Sequence, residues 1–352
     1  MSYRTQLRIV SGILLGLMLV STLSAQDTVT LNRRTRRGSK VLGNIKTANR
    51  NEVIVETSGS ERTIPVNEID RIGLAGEPAP LRQGRASIHS GQYEQALKSL
   101  DDVRIPSGAS DILKQEAAFY RASAMANLAL RGTGSPNNAI SLLLAFVKNK
   151  TTRNSYHFYE TVELLGDLAL MIGSYDKANL YYKQLAKAPW PEYKLKSAVL
   201  EGAALRAEGK FNDAVTKFDQ ALSAQIDDPE SMRQQTFAQI GKAASIAELG
   251  KTDEAIQTLE DVVAKNDAAD AQLFAQAYLA QGAAYRKANR PLDAVLAYLH
   301  VDLMFFNQRD AHAEALFYLS ELWPKVNSPD RGVQARSLLK SRYGSTGWAK
   351  RS

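Results

Sequence analysis

The residues best suited to acid–base or metal chemistry are four histidines, His89, His157, His300 and His312, and they are scattered. A zinc site on a helix needs ligands one turn apart, typically with a Glu-x-x-His partner, and His300 and His312 offer neither. There is no cysteine, so thiolate ligands, thiol nucleophiles and disulfides are excluded. No Gly-x-Ser-x-Gly elbow and no phosphate-cradling glycine loop occurs. Gly132-Thr-Gly134 falls between two helical patterns, where turn geometry accounts for it. The carboxylate pairs Asp101-Asp102 and Asp227-Asp228 sit at expected helix ends, where they cap and complement the helix dipole. Trp190, Trp323 and Trp348 fall near element junctions and read as packing residues. Nothing here activates a nucleophile. The chain reads as non-catalytic, without cofactor, metal or small-molecule substrate.

One cluster carries charge chemistry. Arg33-Arg34-Thr-Arg36-Arg37-Gly-Ser-Lys40, with Lys46 and Arg50 beyond, could bind lipid headgroups, an acidic polysaccharide or an acidic protein. The alternative is a solvated hairpin tip whose charges discourage edge-to-edge sheet pairing. Nucleic-acid readers interleave aromatics for base stacking. None occurs between Asp27 and Tyr93, so no nucleic-acid partner is expected.

The elements that must hold this cluster alternate with period two. Asp27 to Leu31, Val41 to Lys46, Val53 to Thr57 and Arg62 to Val66 read as strands, with turn signals at Asn49-Arg-Asn51 and Ser58-Gly59-Ser60. Asn67 to Ile72 reads as a helical turn or a closing strand. The expected product is a small antiparallel barrel or curled sheet. Its layout, with a glycine hinge and a closing Ile-Asp-x-Ile, resembles the SH3-like and Sm-like barrels. Leu74-Ala-Gly76-Glu-Pro78-Ala-Pro80 is the linker to a long helical region.

Beyond the linker a six-residue box recurs: Gly91-Gln-Tyr93-Glu-Gln-Ala96, Gly173-Ser-Tyr175-Asp-Lys-Ala178, Gly209-Lys-Phe211-Asn-Asp-Ala214 and Gly250-Lys-Thr252-Asp-Glu-Ala255. Each copy separates two apolar helical patterns. Glycine ends the first helix in a left-handed conformation, the aromatic is expected to plug the pair, and alanine allows close approach. Small residues recur on the first helices (Gly84, Gly166, Gly202, Ala243, Gly282) and on the second (Ala96, Ala139, Ala178, Ala214, Ala255, Ala294). Large partners lie four positions on, at Leu100, Leu143, Tyr182, Phe218, Leu259 and Tyr298.

With these positions the chain resembles the tetratricopeptide repeat (TPR) family, in the irregular form of exported bacterial arrays, over about Leu81 to Val301. The second-helix alanines lie 43, 39, 36, 41 and 39 residues apart, against about 34 for the family. Ala311 to Trp323 and Arg331 to Tyr343 read as a seventh, atypical pair. The fold class is therefore mainly α: a right-handed α-solenoid of TPR-like helix pairs, preceded by a small antiparallel β-barrel or sheet module. The resemblance implies a concave groove lined by first helices. Carried over by position, it presents Glu160, Glu163 and Asp167, then Lys196 and Arg206, then Phe237 and Ile240, then Gln276, Arg286 and Lys287. An acidic end grading into a basic end around an apolar pair would suit a peptide or helix; ordinary solvated helix charge is the alternative.

The N-terminus adds a location. Arg4 and Arg8 precede the apolar run Ile9 to Val20 and the small, polar Ser21-Thr-Leu-Ser24-Ala25, the layout of a secretory signal peptide. The run is short for a membrane span, which takes about 20 residues; an uncleaved inner-membrane anchor is the alternative. Loss of both arginines would lower the net charge from +7 to about +5, too mild an excess to imply a polyanion. The expected organisation is a signal peptide over 1–25, a β module over 26–77, the solenoid over 78–345 and a tail over 346–352. The expected role is a protein-binding scaffold of the periplasm or cell envelope. The alternative is a wall- or membrane-surface binder with the β module as head and the repeats as spacer.

Overall fold

The computed structural model describes residues 26–32 and 39–352. The expected signal segment and Arg33, Arg34, Arg36 and Arg37 lie outside the described residues.

Among the described residues, five antiparallel strands come first: β1 (Asp27–Leu31), β2 (Lys40–Ala48), β3 (Glu52–Thr57), β4 (Ser60–Pro65) and β5 (Ile69–Gly73). A short 3₁₀ turn, Val66–Glu68, separates the last two. The order is β4-β3-β2-β1-β5, so the final strand returns beside the first. Asp27 holds this closure: its Oδ2 accepts from Ile45 N at 2.9 Å and its Oδ1 from Ala75 N at 2.7 Å. Alternation puts Val29, Leu31, Val41, Val53, Val55, Ile64 and Ile72 inside. The same cluster takes in Tyr156, with Trp190 packed against it, both from the helical region. Such a small sheet has little core of its own, and the array completes it.

Seven antiparallel helix pairs come next among the described residues. They are α1 (Ala79–His89) with α2 (Tyr93–Asp101), α3 (Asp111–Leu130) with α4 (Pro136–Lys148), and α5 (Phe158–Met171) with α6 (Tyr175–Tyr182). Then α7 (Pro191–Glu208) pairs with α8 (Phe211–Leu222), α9 (Pro229–Glu248) with α10 (Thr252–Lys265), α11 (Ala271–Lys287) with α12 (Pro291–Met304), and α13 (Arg309–Leu322) with α14 (Pro329–Tyr343). A last short helix is α15 (Gly347–Arg351). The architecture is the expected solenoid with a small sheet before it.

The box glycines work as the sequence implies. Gly91, Gly173, Gly209 and Gly250 have φ between 70° and 90°. The residue after each donates its N–H back to Ser87, Ala169, Leu205 and Ile246, at 2.8, 2.8, 2.9 and 3.0 Å. This six-to-one bond satisfies a carbonyl the helix end would otherwise leave unpaired. Asn289, at φ 55°, does the same for the α11–α12 turn.

The plug is a correction. Tyr93, Tyr175 and Phe211 are only half-buried, so the box aromatic does not fill the pair. The residue four positions after the alanine does. Tyr182, Phe218 and Tyr298 are at most 1 % exposed. A Cβ on Gly84 would meet Leu100 Cγ at 2.5 Å, on Gly202 Phe218 Cε1 at 2.7 Å, and on Gly282 Tyr298 Cζ at 2.5 Å; Gly166 faces Tyr182 in the same way. The first-helix glycine is thus a notch and the second-helix ring its occupant. All six second-helix alanines are fully buried where the helices cross.

The array also closes on itself. Ser345, after α14, donates its hydroxyl to Arg131 O at 2.8 Å, and a Cβ on Gly132 would strike the Ser345 carbonyl. The tail of the seventh pair therefore rests on the turn of the second. Arg131 is held in turn by Gly91 O at 2.7 Å and by the Tyr93 ring, 4.2 Å from its guanidinium. α15 folds back so that Trp348 packs on Phe317 and Tyr318 of α13, with ring centroids 5.3 and 5.6 Å apart.

Candidate functional site

The first helices α7, α9 and α11 present one face each to a shared groove of about 640 Å³. Its floor is small or apolar: Val199, Leu200 and Ala203 from α7, Phe237, Ile240 and Ala244 from α9, Leu279, Ala280 and Ala283 from α11. Helical spacing of three and four residues puts these on one side of each helix. One wall comes from the β module, through Asn32, Val66, Asn67 and Ile69; Glu314 of α13 stands at the opposite end.

Of the expected groove residues, Glu163, Lys196, Arg206, Phe237, Ile240 and Gln276 line it, and Glu160, Asp167, Arg286 and Lys287 do not. Asp167 turns into its own helix pair and accepts from the Tyr182 hydroxyl at 2.7 Å. Burial, assisted by Glu163, raises its carboxyl to about 6. Glu160 is exposed at the array surface, 3.6 Å from His157 Nδ1. Arg286 lies 3.8 Å over the Tyr318 ring. Lys287 pairs with Glu248 at 2.6 Å.

The expected acidic-to-basic gradient is also corrected, because charge cancels pairwise between successive first helices. Lys196 binds Glu163 at 2.5 Å. Arg233 forks onto Asp270, at 2.5 and 3.1 Å, and reaches Gln272 at 2.9 Å. The Lys287–Glu248 pair repeats the pattern. These cross-helix pairs stitch neighbouring repeats, and sequence reading missed them because each partner lies over 30 residues away. At the far end Glu314 is the electrostatic exception. Burial pushes it up to about 7 even though Arg206, Arg286 and Arg351 all favour its charged form.

The β module is docked, not tethered. Asn67 Nδ2 donates to Glu192 Oε1 at 2.7 Å, and the Tyr159 hydroxyl donates to Asn51 Oδ1 at 3.2 Å. Arg50 donates to Asn154 Oδ1 at 3.1 Å and lies 4.3 Å over the Phe158 ring, so this member of the basic cluster is structural. Lys46 pairs with Glu56, and Lys40 opens β2 exposed. A head on a spacer is therefore not the arrangement: the module is part of the groove.

Beneath the docking surface lies a buried ionic network. Glu116 of α3, fully buried, accepts from the Tyr156 hydroxyl at 2.5 Å, meets His157 Nε2 at 2.8 Å and accepts from Arg85 Nη1 at 3.3 Å. Arg85 Nη2 holds Glu77 of the linker at 2.5 Å. His157 stacks on Phe119 at 3.6 Å. Burial opposes its charge, but Glu116 and Glu160 outweigh burial and raise its pKa. His312 is likewise locked, between Asp302 and Tyr343 at 2.7 Å each. Both histidines join helices. Among the described residues no group of three potential metal ligands assembles, and no helix is long and apolar enough to cross a membrane.

No protein-family model matches this chain, and no curated protein matches it. Solved structures with similar stretches include one described as "MamA MSR-1 C2", 17 % identical, covering 52 % of this chain and 92 % of that one, with a TM-score of 0.36. A tetratricopeptide repeat protein from Parabacteroides merdae ATCC 43184 is 16 % identical, over 77 % and 96 % of the two chains, at 0.49. The TPR domain of P58(IPK) is 16 % identical, over 78 % and 76 %, at 0.27.

Proposed function

We propose that this protein is a non-catalytic interaction scaffold of the bacterial cell envelope that holds a segment of another protein in the groove between the β module and α7, α9 and α11. The observation that carries this reading is the groove itself. Its volume, about 640 Å³, accommodates several side chains; its floor is apolar and small-residued; Glu163, Lys196, Arg233 and Glu248 on its walls are each held in an ion pair. Such a surface favours an amphipathic or apolar segment over a highly charged one. The basic residues near β2 would then serve attachment to an anionic membrane or wall surface. The signal-like N-terminus supports export to the periplasm.

A photo-crosslinking residue at Ala280, on the groove floor, should capture a discrete partner in cells, whereas the same residue at Thr216, on the outer face of α8, should not. Equal patterns from both positions would remove the groove reading. Export is checked separately by fractionation and the mass of the mature N-terminus; retention of the intact chain in the cytoplasm would remove the envelope assignment alone.

A further inference from the structure

α12 carries a face that its counterparts lack. Leu292, Leu296 and Leu303 are 58, 50 and 66 % exposed, Leu299 is half-buried between them, and Met304 and Phe306 extend the patch. Spacings of four, three and four residues put the leucines on one stripe. Aligned on Ala214, Ala255 and Ala294, the corresponding positions are Asn212, Thr216, Asp219 and Ser223 at α8, and Asp253, Gln257, Glu260 and Ala264 on α10. The repeat therefore does not demand leucine there. An exposed patch of this kind marks a contact surface.

We propose that this stripe is a homodimer interface, with α12 packed antiparallel against α12 of a second copy about a two-fold axis. The spacing reads the same in reverse. A two-fold therefore sets Leu292 against Leu303 of the second copy and Leu296 against Leu299 of the second copy, as a self-complementary interface requires. The flank is complementary too, since the same axis brings Asp293 beside His300 of the second copy. His300 is already held in place: its Nδ1 donates to Leu296 O at 2.8 Å and its ring stacks on Tyr278 at 4.3 Å, while among the described residues Nε2 has no partner in its own chain. Arg290, 2.8 Å from Asp293, extends the polar rim. The exposed apolar surface is on the order of 500 Å² per copy, the upper range for a monomer. Pairing two copies would bury about 1,000 Å², enough for a reversible dimer.

The test is sedimentation of the purified protein from about 1 to 100 µM, the range where an interface of this size dissociates. Wild type should pass from one to two chains. Leu296→Glu with Leu303→Glu should weaken association at least roughly 50-fold, about 2 kcal/mol, while circular dichroism stays unchanged and melting matches wild type at concentrations where both are monomeric, because both side chains are exposed. The absence of native cysteine permits a geometric check. Copies bearing Leu292→Cys mixed with copies bearing Leu303→Cys should form a disulfide, and neither alone should. A wild-type monomer throughout, a dimer that survives both glutamates, or disulfides within the single variants would overturn the proposal. A wild-type monomer that floats with lipid vesicles, and loses that in the glutamate variant, would assign the face to a membrane surface instead.

Discussion

Replacing Gly202 with alanine would place a methyl carbon 2.7 Å from Phe218 Cε1, well inside contact distance. The ring cannot retreat, because Gly241 of α9 presses on it from the next repeat. Alanine gains about 0.5–1 kcal/mol over glycine within a helix. Overpacking costs about 1–3 kcal/mol. The net for Gly202→Ala is a loss of roughly 1–2 kcal/mol. Phe218→Leu alone leaves a space between three helices and loses on the order of 1–2 kcal/mol. Together the two changes recreate the fifth pair, where Ala243 and Leu259 hold the same positions, both fully buried. The double variant should therefore be more stable than the sum of the singles by about 1 kcal/mol. Urea unfolding of the four proteins gives the coupling directly. Additivity within about 0.3 kcal/mol would show that the ring does not fill the notch, and the helix-pair logic would fail with it.

The other expectations rest on burial and charge. Phe218→Ala should cost about 3–5 kcal/mol and half-buried Phe211→Ala clearly less, while Ala214→Leu overpacks a helix crossing by about 1–3 kcal/mol; urea midpoints rank them, and an equal cost for the two phenylalanines would contradict the burial pattern. Glu116→Ala should cost about 3–5 kcal/mol, because it removes the buried partner of the Tyr156 hydroxyl, of His157 Nε2 and of Arg85 Nη1 while Glu77 still holds Arg85 Nη2, and hydrogen exchange should show the β module loosened along with α3. Stability should be higher near pH 5 than near pH 8. His157 has its folded pKa raised, so its contribution is complete below the unfolded value of 6.5 and is lost as pH climbs through the folded one. Glu314 and Asp167, half-buried and raised by desolvation to about 7 and about 6, act in the same direction, since the folded state holds their protonated forms more readily. His89, lowered by burial, opposes them below its unfolded pKa of 6.5. A melting temperature that rises steadily from pH 5 to pH 8 would refute the balance.

Much of the fold was legible because backbone geometry restricts residue type. Only glycine or asparagine sits easily at the left-handed turn after each first helix, so the boxes marked the repeats. The plug was misassigned because spacing alone does not separate Phe211 from Phe218: both fall on the apolar stripe of α8, and only the notch at Gly202 selects the second. The groove was half legible for a similar reason. Glu163 lines the groove whereas Asp167, four residues on and turned by a net of only about 40°, accepts from Tyr182 inside its own pair, a difference too small for spacing to resolve. The rest had no local signal. Tyr156 completes a sheet more than 80 positions earlier, and Ser345 meets Arg131 across 214 positions. Such contacts carry no period to read.

The Ser345–Arg131 contact changes how this molecule should deform. An open superhelix behaves as a spring: its pitch yields through small rotations summed over many interfaces, and its ends fray independently. Fastening the tail to the second turn makes the spring a hoop, in which a rotation at one interface must be compensated around the circuit. The groove inside is then held at one width, and a guest that needs it wider must first undo the clasp. Clasp and groove would then be linked: a guest that fits the closed width would favour the clasp, and one favouring the wider ring would be felt at Gly132 and Ser345, far from where it sits.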